Sequence, residues 1–217
     1  MTEFARAEAV DRIERLVETV ATETMPVPIR EIWVYGDLVL GLDPVPRLDI
    51  YLTKDLLFHG DDEREAEFLD SHGVEGIGKT VSAEWADEHP ESIRANPNGY
   101  AAPEKCLAAH LVGESEPIHL EVCNASFEDN VTQRLKGAMA RENYEQVLDP
   151  RGACLWLDGQ RSTEAFEKLR NGEFVFPTLA EALSMIGVEG DEAERAADTV
   201  RDYHERQSGA TVRGDVV

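Results

Sequence analysis

Residues 29–52 read IREIWVYGDLVLGLDPVPRLDIYL, and the fold follows from how this stretch is parsed. Ile32-Trp33-Val34-Tyr35 is an apolar run. It breaks at Gly36-Asp37, and a second glycine stands at Gly41. A proline-rich turn then leads into another apolar run around Asp49. The pattern predicts strand, short helix, loop, strand, with one carboxylate set inside the second strand. A carboxylate in a buried strand is costly unless it is paired, hydrogen-bonded or bound to a cation. Asp49 therefore marks a candidate site.

Before this stretch, residues 2–23 predict an amphipathic helix. Val10, Ile13, Val17 and Val20 recur at helical spacing, with Leu16 widening the stripe, and Pro26 and Pro28 end it. After it come a connector, a short acidic helix over 61–71, and a stretch over 73–100 in which Val81–Ala86 starts a strand or a helix. Asn96-Pro97-Asn98-Gly99 predicts a turn. Pro103 suits the first turn of a helix reaching Leu111. Pro117–Cys123, PIHLEVC, predicts a strand. Ser126 and Asp129 box a helix to Arg141. Ala153–Leu157 is a short apolar strand ended by Asp158-Gly159. Ser162, Thr178 and Asp191 each start a further helix, and the tail from Ser208 is expected to fray. Strands interleaved with helices, then a run of helices, predict an α/β (α+β) core with a C-terminal helical layer.

The 217 residues suffice for one sizeable core, and a hydrophobic fraction of 42% is ordinary for a globular chain. No apolar run approaches the roughly 20 residues of a membrane helix, and the charged N-terminus lacks the apolar centre of a signal peptide. A soluble, cytoplasmic protein is expected. The 44 acidic and 21 basic residues give a formal charge of −23. So negative a surface repels nucleic acid and anionic membranes. The acids are spread along the chain rather than gathered in one tail, which favours adaptation to a salty cytoplasm over an acidic recognition surface. Cys106, Cys123 and Cys154 are widely spaced, without a zinc pattern, and read as reduced thiols.

The Gly36 stretch resembles the signature of the DNA-polymerase-β-like nucleotidyltransferases. In that family a strand ends in Gly-Ser, a second glycine follows near the start of a helix, and a loop leads to a strand bearing Asp-x-Asp. Gly36, Asp37 and Gly41 stand in the first part, and Asp49-Ile50-Tyr51 in the second. Glu121 is placed to be the family's third carboxylate. The resemblance implies a small mixed sheet covered by helices, with Gly36, Asp37 and Gly41 at a nucleotide, and Asp49 and Glu121 as catalytic acids holding Mg²⁺ for phosphoryl transfer. Two departures stand out. Asp37 replaces the serine and puts a negative charge where phosphate would sit. Tyr51 replaces the second acid, so Asp49 and Glu121 alone would hold at most one metal. The resemblance thus implies a degenerate member that binds a nucleotide or a protein partner through the Gly36–Asp49 face. An active metal-dependent nucleotidyltransferase is the rival, and a scaffold docking a partner through residues 162–207 is a third reading. The same residues also have plainer roles: Asp37 as a helix cap, Gly36 and Gly41 in a turn, Asp49 paired with Arg47 or Lys54. On this reading residues 1–159 form the nucleotidyltransferase-like core and 160–217 the C-terminal helices packed on it.

His119, Glu121 and Cys123 sit at alternate positions of one predicted strand and share a face. With Asp49 on a neighbouring strand they form a candidate metal site, Asp49, Glu121, His119 and Cys123, suited to Zn²⁺ or another transition metal. The alternative is a half-exposed strand with a polar outer face. Gly73–Thr80, GVEGIGKT, matches the phosphate-binding P-loop letter for letter. It follows an acidic helical stretch rather than a buried strand, so it reads as a chance match. The chain as a whole is similar to an uncharacterised protein family of haloarchaea; MPVPIREIWVYGD (25–37), SFEDNVTQRLKGA (126–138) and TVRGDVV (211–217) carry that likeness.

Overall fold

The computed structural model describes residues 3–23, 25–55, 100–113, 115–207 and 209–214, with 62–63, 66–67, 70 and 81–82. The opening stretch forms an antiparallel pair, β1 (Ile29–Tyr35) and β2 (Leu48–Lys54), with Trp33 opposite Tyr51 and Tyr35 opposite Asp49. Beyond β1 lie β6 (Gly152–Leu157) and β7 (Gln160–Arg161), both antiparallel to their neighbours. Beyond β2 lies β5 (Ile118–Cys123), which runs parallel to it and places Asp49 opposite His119 and Tyr51 opposite Glu121. A parallel neighbour requires a long crossover, and helix α2 (Pro103–Leu111) lies in this one. With β8 (Thr211–Arg213) at the far edge, the sheet order is β7-β6-β1-β2-β5-β8, a mixed six-stranded sheet. Val81–Ser82 (β3) and Tyr100–Ala101 (β4) form a separate antiparallel pair.

Strand alternation sorts the side chains onto two faces. On one face, Ile32 and Val34, Leu48, Ile50 and Leu52, and Ile118, Leu120 and Val122 are all buried in the main core. Helix α1 (Arg6–Thr22) adds Val10, Ile13, Leu16 and Val17 to that core. Helix α2 adds Leu107, and helix α4 (Thr163–Asn171) adds Phe166 and Leu169. Each such side chain, once fully buried, stabilises the fold by about 1.5–3 kcal/mol. The opposite face is covered by α3 (Phe127–Arg141), whose Phe127 ring stacks on Trp33 at 4.7 Å and meets Tyr51 edge-on at 5.3 Å. The far side of α3, through Leu135 and Ala138, builds a second core with α5 (Leu179–Met185) and α6 (Asp191–Glu205). That second core is the C-terminal helical layer. Leu179, Leu183, Ala196, Ala197 and Val200 of α5 and α6 are buried in it.

Most element ends fall where their caps predict. Ser126 Oγ accepts from Asp129 N at 3.2 Å, and Thr178 and Glu181 form a reciprocal box. The short helix expected after Tyr35 is present as a three-residue 3₁₀ turn, Gly36–Leu38. Three expectations need correction. Gly190 rather than Asp191 caps α6, Asp191 being its first residue. Strand β5 has no exposed polar face, because α3 covers the side that carries Glu121 and Cys123. The tail does not fray from 208: Thr211–Arg213 forms β8, paired in parallel with His119–Glu121. Within the acidic stretch the described residues 62–63, 66–67 and 70 are helical. The turn at 96–99 and the P-loop match at 73–80 lie outside the described residues. Among the described residues no helix is long and apolar enough to cross a membrane.

Candidate functional site

The site is built around the elbow that follows β1. Gly36 has φ +70°, a conformation side-chain-bearing residues rarely adopt. It also has no room for a side chain, since a Cβ there would come within 2.5 Å of Asp49 Oδ2. The glycine is thus explained by the aspartate packed on it, one strand away. Gly41, at φ +89°, has a different neighbour: a Cβ there would meet only Arg6 Nη2, at 3.5 Å. The Arg6 guanidinium donates to Leu42 O at 3.1 Å, so Gly41 serves the closure of the loop against α1.

Gly36, Asp37, Arg47 and Asp49 line a cavity of about 810 Å³. Asp149 and Arg151 contribute from the turn before β6, Leu179 from α5, and Val200, Arg201, His204 and Glu205 from α6. The C-terminal layer therefore supplies one wall. Asp49 is 2% exposed, and its Oδ1 lies 2.7 Å from Arg47 Nη2. Asp49 is thus held in a close ion pair with the residue two places before it. Burial pushes the Asp49 carboxyl up to about 6; Arg47 and His119 oppose the shift and Asp37 adds to it. Burial raises Asp37 as well, against the pull of Arg47. Burial and the charges of Arg47, His119 and Arg213 lower His204 to about 3, so it is neutral at pH 7.

Arg47 is fixed from the helical layer, donating to Gln207 Oε1 at 2.9 Å and to His204 O at 3.3 Å. Arg151 grips Asp149 with two bonds, 2.7 and 2.9 Å long. Bidentate pairs of this kind are among the stronger hydrogen-bonded contacts in proteins.

Behind Asp49 lies a second buried acid. Glu121 is fully buried; its Oε2 accepts from Arg134 Nη2 at 2.8 Å, and its Oε1 from His119 Nε2 at 3.0 Å. Arg213, on β8, also pairs with Oε1. Burial alone would raise the Glu121 carboxyl. The hydrogen bond from His119 and the charges of Arg213, His119 and Arg134 outweigh burial and hold it well below the usual carboxylate range. His119 is engaged on both sides, its Nδ1 lying 2.6 Å from Thr211 Oγ1. Cys123 Sγ lies 3.3 Å from Arg134 Nη2.

This settles how the expected ligand set is disposed. Asp49, Glu121, His119 and Cys123 do share one face of adjacent strands, as strand alternation predicts. Their donor atoms, however, face cations of the chain itself: Arg47, Arg134 and Arg213. A divalent ion among three guanidinium groups would be repelled, and no oxygen of Glu121 is left to bind it. Among the described residues no group of three or more His, Cys, Asp or Glu is disposed to hold a metal. The donors present do not fit Mg²⁺ or Zn²⁺. Nor does the Gly36 turn present the helix N-terminus that a phosphate would need, because it is only three residues long.

With this geometry in hand the chain can be placed among known proteins. A family model described as a family of unknown function, DUF7095, matches residues 5–217. The chain belongs to this family. No curated protein matches it, and no solved structure does.

Several residues that shape the site in this DUF7095 chain carry no local sequence signal. Tyr51, which replaces the expected second acid, donates to Ala125 O at 2.7 Å and accepts from Asn130 Nδ2 at 2.9 Å. It bolts β2 to the start of α3. Glu31 holds the same helix end: its Oε2 accepts from Phe127 N at 3.3 Å and from Thr53 Oγ1 at 3.0 Å. Arg134 and Arg213 lie on a helix and in a tail, 13 and 92 residues from their common partner. One hint was available. Arg134 follows Asn130 by one helical turn, and Nε donates to Asn130 Oδ1 at 3.2 Å, so both face the sheet.

Proposed function

We propose that this DUF7095 chain is a nucleotidyltransferase-like protein that kept the pocket beside the glycine elbow and binds a small ligand there, without two-metal nucleotide transfer. The observation that carries the reading is a pair of facts about one place. Gly36, Asp37 and Asp49 line a cavity of about 810 Å³, and Asp49 and Glu121 behind it are neutralised by arginines rather than left open. Cavities of roughly 300–1,000 Å³ suit small organic ligands. Support for the fold likeness comes from the antiparallel β1–β2 pair, the parallel β2–β5 pair and the positive-φ glycine between β1 and β2. The spread of 44 acidic against 21 basic residues supports a cytoplasmic setting rich in salt.

The test is a ligand screen by thermal unfolding of the full chain in molar KCl, with EDTA or with Mg²⁺. The panel holds ATP, GTP, CTP and UTP, and small amines and acids of similar size. A ligand of the cavity raises the melting temperature with concentration and does so in EDTA. Release of pyrophosphate from any of the triphosphates, dependent on Mg²⁺ and lost in Asp49→Asn, would instead mark an active nucleotidyltransferase.

A further inference from the structure

We infer that the C-terminal segment is a strap that docks and releases as one unit, latched on β5 at one end and bracing Arg47 beside the cavity at the other. This goes beyond the ligand reading and does not need it. The latch is β8. Thr211 Oγ1 lies 2.6 Å from His119 Nδ1, and Arg213 pairs with Glu121, so both side-chain contacts land on β5. The brace is the end of α6 and the residues just past it. His204 O and Gln207 Oε1 accept from Arg47 Nη1, while Nη2 of the same guanidinium lies 2.7 Å from Asp49 Oδ1. Between brace and latch stands Gly209, which lines the cavity together with Gln207. Release of the strap therefore removes part of the cavity wall and takes away the hold of Gln207 on Arg47.

Three features of the segment favour release. First, β8 has three residues, all half-buried, and among the described residues only β5 beside it. By contrast β2 has seven residues, all buried, and a strand on each side. An element with few buried contacts opens at a lower cost than the whole fold. Second, the docked latch is imperfect. Arg213 Nε and Nη1 are buried without an acceptor, which is costly and is relieved by water on release. Glu121 meanwhile keeps Arg134 and His119, so release leaves no orphaned acid behind. Third, Gly209 supplies a joint. It has φ +70°, yet a Cβ there would have nothing within 4 Å, so backbone conformation rather than packing calls for glycine. Brace, joint and latch all lie within residues 207–213. Whatever favours Arg47 on Gln207 therefore favours β8 on β5, and the reverse.

The experiment is amide hydrogen exchange of the full chain by NMR, in the wild type, Gly209→Ala, Arg213→Gln and Gln207→Ala. In the wild type the amides that bond β8 to β5 and the amide of Gln207, which donates to His204 O, are expected to share one protection factor. That factor should lie at least about a hundredfold below that of β2. Gly209→Ala strains the joint alone and should lower the shared protection by about five- to thirtyfold. Arg213→Gln cuts the latch and should lower protection at Gln207 as much as at β8. Gln207→Ala cuts the brace and should lower protection at β8 by at least about threefold. The amide of Gly172, which donates to Leu169 O at the end of α4, should be unmoved in all three variants. Protection of β8 equal to that of β2 makes the segment a fixed part of the sheet and overturns the inference. So does an effect of Gly209→Ala or Arg213→Gln confined to β8, which marks a fraying end with no hold on Arg47. Neither result touches the reading of the cavity as a ligand site, which the thermal screen tests separately.

Discussion

Replacing Glu121 by glutamine keeps the shape of the side chain and removes its charge. Two guanidinium groups, those of Arg134 and Arg213, then remain near it without the carboxylate. Removing one partner of a buried ion pair costs about 3–5 kcal/mol. Glutamine retains one carbonyl acceptor, so about 3 kcal/mol is expected at pH 7. For a chain of this size that lowers the melting temperature by about 6–12 °C. The pH dependence has a definite sign. The folded-state pKa of Glu121 is depressed, so its contribution is full above the ordinary carboxylate value and is lost as pH falls below it. Urea unfolding followed by circular dichroism in EDTA, at pH 7 and again below pH 4, measures both. The gap between wild type and Glu121→Gln should be wide at pH 7 and narrower in acid. A variant as stable as wild type at pH 7 would refute the reasoning, because Glu121 would then not be neutralising the arginines.

Further outcomes follow from individual contacts. Gly36→Ala must strain a positive φ and press on Asp49, and should cost about 2 kcal/mol or more in chemical denaturation. Gly159→Ala, also at positive φ but with nothing within 4 Å, should cost less, and equal costs would contradict the contact with Asp49. Deleting residues 208–217 removes β8, Arg213 from Glu121 and Thr211 from His119, and should destabilise by about 2–4 kcal/mol; a frayed tail would give no change. The Asp49 carboxyl, followed by ¹³C NMR, should titrate near 6. Because its folded pKa is raised, the stability tied to its protonated form is present below about pH 4 and is lost as pH rises through about 6, a slope that Asp49→Asn should lack.

Much of the fold was legible because it rests on local rules. Alternation placed Asp49, Tyr51 and Glu121 on one face, and capping residues such as Ser126 and Thr178 fixed helix starts within a residue. The pairing of Asp49 with Arg47 was within reach as well, since the two sit two residues apart on or beside one strand. What was not legible was which charges meet across distance. Glu121 reads as a metal ligand until Arg134 and Arg213 arrive, one from a covering helix and one from a tail whose composition suggests fraying. Only the pairing of β8 with β5 brings Arg213 there. Likewise the cavity wall from Val200 to Gln207 depends on how α6 packs against α3, which no periodicity in α6 announces. Gly36 was visible as a turn residue, but the close approach of Asp49 that makes it obligatory is a tertiary fact.

The most direct measurement is amide chemical-shift mapping of the full chain with the screened compound that most raises its melting temperature, in EDTA and then with Mg²⁺. Binding at the cavity predicts saturable shifts gathered at Gly36, Asp37, Arg47, Leu179 and Val200, unchanged by the metal. Shifts that are scattered over the acidic surface, or that gather at the elbow only when Mg²⁺ and a nucleotide are both present, would contradict a metal-free ligand pocket.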